Sequence, residues 1–224
     1  MKILVIAHVE SEGPGTLGTF LESQGAELQV VRLDKGDPLP PDLNDYAAII
    51  SMGGPMNVYE EETYPYLREE TTLLQRAINE DRFVLGVCLG AQMIAKAGGA
   101  QVTLSPQKEV GWGQVFLTDA GKQDLLFRGL PESLTVFQWH GDMFHVPAGG
   151  VLLAQGTECP HQAFRYRNAF GLQFHVEVTE EILKDWFADS PQRDAILRQY
   201  KELEKTIEKR AKQMYENFFA LLRR

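Results

Sequence analysis

Cysteine is almost missing from this sequence: Cys88 and Cys159 are the only two in 224 residues. So few exclude the disulfide framework of a small secreted domain and make the reducing cytoplasm the expected compartment. No C-x-x-C or H-x-x-x-H pair occurs, so the usual spacing of metal ligands is absent and neither a metal nor a cofactor is expected. Long apolar runs are lacking too. The opening Met1 to His8 is too short for a signal peptide or a membrane span and reads as a first β-strand. Basic charge is in the minority, 22 Lys and Arg against 31 Asp and Glu, for a formal net charge of -9. That balance argues against a general nucleic-acid or anionic-membrane binder and favours small-molecule or protein partners. Internal repeats and low-complexity segments are absent as well.

What is present is ordinary globular material, 44% hydrophobic and 24% charged. The length suits one α/β domain with an added C-terminal element. Apolar strands, Leu28 to Val31 and Ala47 to Ser51, alternate with helical patterns that use Leu17, Phe20 and Leu21, then Leu67, Leu73, Leu74, Ala77 and Ile78. This alternation predicts a parallel, doubly wound sheet with ligands at the carboxyl ends of its strands. From Gln101 onward, short apolar segments cut by Gly, Pro and Asp predict a more antiparallel half. The final segment, with Ile196, Tyr200, Leu203, Ile207, Met214, Phe218 and Leu222 near helical period, predicts a long helix packed on the body. A dimer contact through it is the second option, although sustained heptads are lacking.

The chain is organised around Phe83 to Ala97, a buried-type strand that turns into a helix with Cys88 at the corner. Gly86 and Gly90 flank Cys88 at two residues each, the cysteine form of the nucleophile elbow G-x-S-x-G. A thiol there meets the positive end of the helix dipole, which favours thiolate. The Leu89 amide is placed to receive a developing oxyanion, and Gly54, in the turn after the third strand, would supply a second donor. A lone cysteine is more often a buried apolar residue; the two glycines at elbow spacing argue otherwise. Cys159 has no such surroundings and reads as structural or merely exposed. A thiol nucleophile needs a base and a group to orient it. Two H-x-acid pairs are on offer, His175-Val176-Glu177 and His140-Gly141-Asp142. Residue types do not decide between them. Gly141 makes the second pair read as a loop, and the rigidity of a strand favours the first.

Gly53-Gly54-Pro55, Cys88-Leu89-Gly90-Ala91-Gln92, Trp139-His140-Gly141-Asp142 and Gly171-Leu172-Gln173-Phe174-His175-Val176-Glu177 resemble, in that order, the motifs of the triad-type, class I glutamine amidotransferases. The likeness is greatest to the amidotransferase domain of GMP synthase and its stand-alone relatives. The resemblance implies a flavodoxin-like three-layer α/β/α sandwich with a mostly parallel central sheet over residues 1–185, and a C-terminal helical extension, residues 186–224, packed on it. It implies Cys88 as nucleophile, His175 as base, Glu177 as its orienting carboxylate, and the amides of Gly54 and Leu89 as oxyanion hole. Gly53, Gln92, Trp139, His140, Gly141 and Asp142 would line the substrate pocket. The reaction implied is hydrolysis of a γ-glutamyl amide, glutamine first, to glutamate and ammonia through a γ-glutamyl thioester. Alternatives are hydrolysis of a γ-glutamyl peptide, and a subunit silent until a separate synthetase partner docks. A non-enzymatic flavodoxin-like binding module is the remaining reading. Three departures bear on this. Val176 stands where the family has proline, Trp139 stands where a small polar residue is common, and no synthetase domain follows, so ammonia is expected to find its acceptor elsewhere.

Overall fold

The structure is a computed structural model, and it describes residues 1–223. Its strands are β1 (Lys2–Ala7), β2 (Glu27–Arg32), β3 (Tyr46–Ser51), β4 (Phe83–Val87), β5 (Val102–Leu117), β6 (Ser133–Phe144), β7 (Val151–Gly156), β8 (Ala163–Tyr166) and β9 (Ala169–Leu172). Its α-helices are α1 (Gly15–Ser23), α2 (Tyr66–Asn79), α3 (Leu89–Ala97), α4 (Asp119–Gln123), α5 (Glu180–Trp186) and α6 (Arg193–Leu221). The strands form one nine-stranded sheet in the order β2-β1-β3-β4-β9-β8-β7-β5-β6. The run from β2 to β9 is parallel, and the pairings from β9 outward to β6 are antiparallel. The result is a flavodoxin-like mixed α/β sandwich.

The apolar runs explain the layers. Side chains alternate across a strand, so Ile3 and Val5 of β1 enter the core on one face while Leu4 and Ile6 enter the core on the other. Covering both faces requires near-continuous apolar runs, as in β1 from Ile3 to Ala7, β3 from Tyr46 to Ile50 and β4. The helix α2 lays Leu67, Leu73, Leu74, Ala77 and Ile78 on one face, beside α3. The other face is covered by Leu17 and Leu21 of α1 and by Ala211, Met214, Phe218 and Leu221 of α6. The long last helix therefore completes one layer of the sandwich.

Two local readings need correction. The segment Trp139 to Asp142 is strand, not loop: it lies in β6, with His140 opposite Glu109 of β5. Gly141 is tolerated there because a side chain at that position would meet nothing within 4 Å. Conversely, His175 follows β9 as a single bridge residue between bends and is not in a strand. Its rigidity comes from a bridge to β6, with His175 N–H donating to Phe137 O at 2.8 Å. Of the two readings of Cys159, structural or merely exposed, its full burial fits the first.

Candidate functional site

Cys88 sits between β4 and α3 with φ +53° and ψ −108°, a backbone conformation that L-residues rarely adopt. Holding it costs on the order of 1–3 kcal/mol, which the surrounding packing must offset. The glycines explain how. A Cβ on Gly90 would be driven into the Ser51 carbonyl at the end of β3, and one on Gly86 would strike the backbone of Gly90. Their bare backbones let strand and helix approach and hold the bend under strain. The sulfur turns towards Trp139 O at 3.8 Å and Gln173 Nε2 at 3.9 Å.

Behind it stands His175, almost fully buried. Its Nδ1 is 2.7 Å from Glu177 Oε1, and Glu177 Oε2 accepts from Val176 N–H at 2.9 Å. Burial pushes the imidazole pKa down, but the Glu177 carboxylate and Cys88 outweigh it and leave it well above the usual histidine value. The backbone of this segment is pinned from two sides. Thr16 N–H, in the first turn of α1, donates to Glu177 O at 3.0 Å, and Tyr215 of α6 donates to Val176 O at 2.8 Å. The other candidate, His140, is spoken for: Nδ1 donates to Asp142 O at 2.9 Å, and Nε2 faces Gln138 Oε1 and Glu109 Oε2, both at 3.1 Å. His175 is thus the imidazole that pairs with a carboxylate and lines the same cleft as the elbow cysteine.

The cleft over Cys88 has a volume of about 520 Å³ and brings together Gly54, Cys88, Leu89, Gln92, Trp139, His140, Gly141, Asp142 and His175. Of the sequence-derived pocket residues, Gly53 lies outside this lining: the Glu12 carboxylate packs on its Cα. Gln92 has its amide hydrogens committed to Asp142 O and Gln173 Oε1, both at 3.2 Å, which leaves Oε1 for a ligand. Asp142 Oδ2 is buried and has no hydrogen-bond partner among the described residues. The Trp139 ring stacks on Phe187 at 4.7 Å and leans on Trp186 at 5.1 Å, and Trp186 also meets the His175 ring edge-on at 4.9 Å. The sequence reading missed Trp186 and Asp185 of α5, Lys108 of β5, and Glu12, all of which line the cleft. Burial pushes the Glu12 carboxyl up despite His175 and His8 nearby.

Among the described residues, one trio of ligand-type side chains, Glu109, His140 and Cys159, brings a donor atom each within 4.8 Å. Glu109 already accepts from Gln162 Nε2 at 2.7 Å, His140 bonds as above, and Cys159 Sγ donates to His161 O at 3.5 Å. Burial pushes the Cys159 thiol pKa up, which disfavours the thiolate a metal needs. The cluster is a hydrogen-bonded brace between β5, β6 and the turn before β8.

The raised histidines carry a stability consequence. Burial lowers His8, but Glu70, the Gly53 carbonyl and Glu12 outweigh it, so its pKa too lies above 6.5. A group with a raised folded-state pKa holds its proton more tightly when folded, so the stability it contributes is complete below about 6.5 and lost as pH climbs through the folded value. Thermal melting across this range is expected to show Tm falling as pH rises above 6.5, with a shallower slope in His8→Asn. A flat or rising Tm over that window would contradict the assignment.

The residues from 17 to 189 match the family model described as glutamine amidotransferase class-I. The glutamine amidotransferase-like protein YfeJ of Salmonella typhimurium is 32% identical over 99% of this chain and 96% of its own length. A glutamine-hydrolysing GMP synthase of Latilactobacillus sakei is 35% identical over 58% of this chain, which corresponds to 24% of that longer protein. A glutamine amidotransferase crystal structure from Thermotoga maritima superposes with a TM-score of 0.89 at 31% identity, covering 97% of each chain. No helix among the described residues is long and apolar enough to cross a membrane.

Proposed function

Starting from the class-I glutamine amidotransferase family, to which this chain belongs, we propose that it hydrolyses a γ-glutamyl amide, glutamine first, through a thioester at Cys88. Cys88 Sγ attacks the side-chain carbonyl as His175 takes the thiol proton, and the carbonyl electrons move onto oxygen. The N–H groups of Gly54 and Leu89 receive that oxyanion, and neither donates elsewhere among the described residues. Losing one such donor costs about 2.7–4 kcal/mol in the barrier. Collapse expels the amine, which His175 protonates; His175 then deprotonates water, whose attack on the thioester releases glutamate and the free thiol. Glu177 keeps the His175 ring turned and stabilises its charge.

The observation that carries this reading is His175, hydrogen-bonded to Glu177, lining one cleft with a cysteine at a strained elbow. The cleft mouth fits an amino-acid head group. The unpaired Asp142 Oδ2 suits an α-ammonium, and Lys108, which makes no ion pair among the described residues, suits an α-carboxylate. The purified chain is expected to release glutamate and ammonia from glutamine in equal amounts.

A second reading keeps the chemistry and enlarges the amine. The cleft falls within the roughly 300–1,000 Å³ range that holds drug-sized ligands, so a γ-glutamyl amide of an amine or amino acid also fits. Release of the amine without ammonia would select it. Activity that appears only on adding a synthetase would mark the chain as one subunit of an amidotransferase. That arrangement accords with the GMP synthase relative, of which this chain matches about a quarter.

A further inference from the structure

Beneath the cleft lies a buried ion-pair site that the reaction above leaves without a role. Glu70 stands on the apolar stripe of α2, between Leu67 and Leu74, and His8 follows β1; both are 0% exposed. A carboxylate in such a place is costly unless it is bonded. Here it is: Glu70 Oε2 is 2.7 Å from His8 Nε2, and Oε1 accepts from Ser51 Oγ at 2.6 Å. The other ring nitrogen, His8 Nδ1, is 3.0 Å from Gly53 O. A carbonyl can only accept, so Nδ1 carries a proton whichever of His8 and Glu70 holds the proton they share.

Gly53 C=O and Gly54 N–H belong to one peptide group. The peptide is trans, so the two bonds point in opposite directions. Drawing the carbonyl towards His8 aims the N–H the other way, into the cleft that Gly54 lines. The seat is tight: a Cβ on Gly54 would lie 2.9 Å from His8 Cβ and 2.9 Å from Leu89 Cδ2. His8 and the elbow residue Leu89 therefore both close on Gly54 where a side chain would stand. A donor at the carbonyl also polarises the amide and strengthens its N–H.

We propose that His8 is a positioning residue for the oxyanion hole, locking the Gly53–Gly54 peptide through Nδ1–H while Glu70 and Ser51 lock His8. The proposal rests on the reading of Gly54 as an oxyanion donor. Three variants separate its parts. His8→Leu removes the donor; His8→Asn places an amide N–H near the former Nδ1; Glu70→Gln keeps His8 and its Nδ1–H. Readouts are the Gly54 amide nitrogen resonance by NMR, kcat and KM with glutamine, and alkylation of Cys88 by iodoacetamide, a displacement that forms no oxyanion.

In His8→Leu, kcat is expected to fall by about 10²–10³-fold with KM nearly unchanged. The Gly54 resonance moves, that of Leu89 stays, and alkylation keeps its rate. His8→Asn and Glu70→Gln recover most of the loss. Should His8→Leu not fold because Glu70 is left unpaired, the double variant His8→Leu/Glu70→Leu leaves no buried charge and carries the same expectation. The proposal is overturned if Gly54 does not move, if kcat holds although it moves, or if alkylation slows in step with turnover. If the wild-type chain turns over no γ-glutamyl substrate, the proposed function fails separately, and the Gly54 resonance still decides whether the lock exists.

Discussion

Cys88→Ala is expected to remove turnover by about 10⁶-fold, the scale on which loss of the nucleophile acts in a catalytic triad, and to leave the fold intact. The side chain is small and nearly buried, and the elbow is set by the glycines around it rather than by the sulfur. Steady-state release of glutamate and ammonia measures the loss, with a melting curve as control for folding. Intact mass after reaction with a glutamine-shaped chloromethyl ketone should show one adduct, at Cys88 and not at Cys159, whose thiol is sealed in the core with its pKa pushed up. Residual turnover near wild type, or an adduct on Cys159, would move the chemistry away from the elbow.

The second large effect separates the two histidines. His175→Ala should cost about as much as losing the nucleophile, because the two act as a unit. His140→Ala should cost about 10²-fold or less, since His140 shapes β6 beside the cleft and displacement of a pocket wall has effects of that size. Glu177→Gln should lie between, near 10⁴-fold, because an amide on Nδ1 no longer holds the imidazole as the carboxylate does. Pre-steady-state acylation checks the order, and a greater loss in His140→Ala would transfer the base to β6.

Much of this was legible in the chain. The run Phe83 to Val87 is apolar because both faces of its strand are covered, and Gly86 and Gly90 stand where strand and helix must nearly touch. His175 and Glu177 stand two residues apart in the chain, and Nδ1 lies 2.7 Å from Oε1. Strand rigidity does not favour His175 as expected: it is a single bridge residue beyond β9, whereas His140 lies within β6. Gly141 suggests a loop by composition, but in β6 it only leaves space towards the cleft.

What stayed hidden was of two kinds. Short elements carry too little periodicity to be read: α5 has seven residues, and only Thr179, which caps Ile182 N–H, with Glu180 and Glu181 after it, marks its start. Trp186 therefore went unseen. The length of β5 was masked by Pro106, which falls in the irregular stretch between Leu104 and Glu109, and by Gly111 and Gly113, which pair with β6 alone. The other kind is long-range. His8 and Glu70 are 62 residues apart, and no local spacing relates them; the one hint is an acid inside the leucine stripe of α2.

The last helix has an implication for how distant damage reaches the site. Tyr215 bonds at once to Thr16 and to the Val176 carbonyl, so α6 ties the start of α1 to the peptide between His175 and Glu177. Whatever pries α6 from the sheet is therefore expected to slacken the stretch that joins His175 to Glu177, so a disturbance on the far side of the sandwich reaches the reacting sulfur through one phenol.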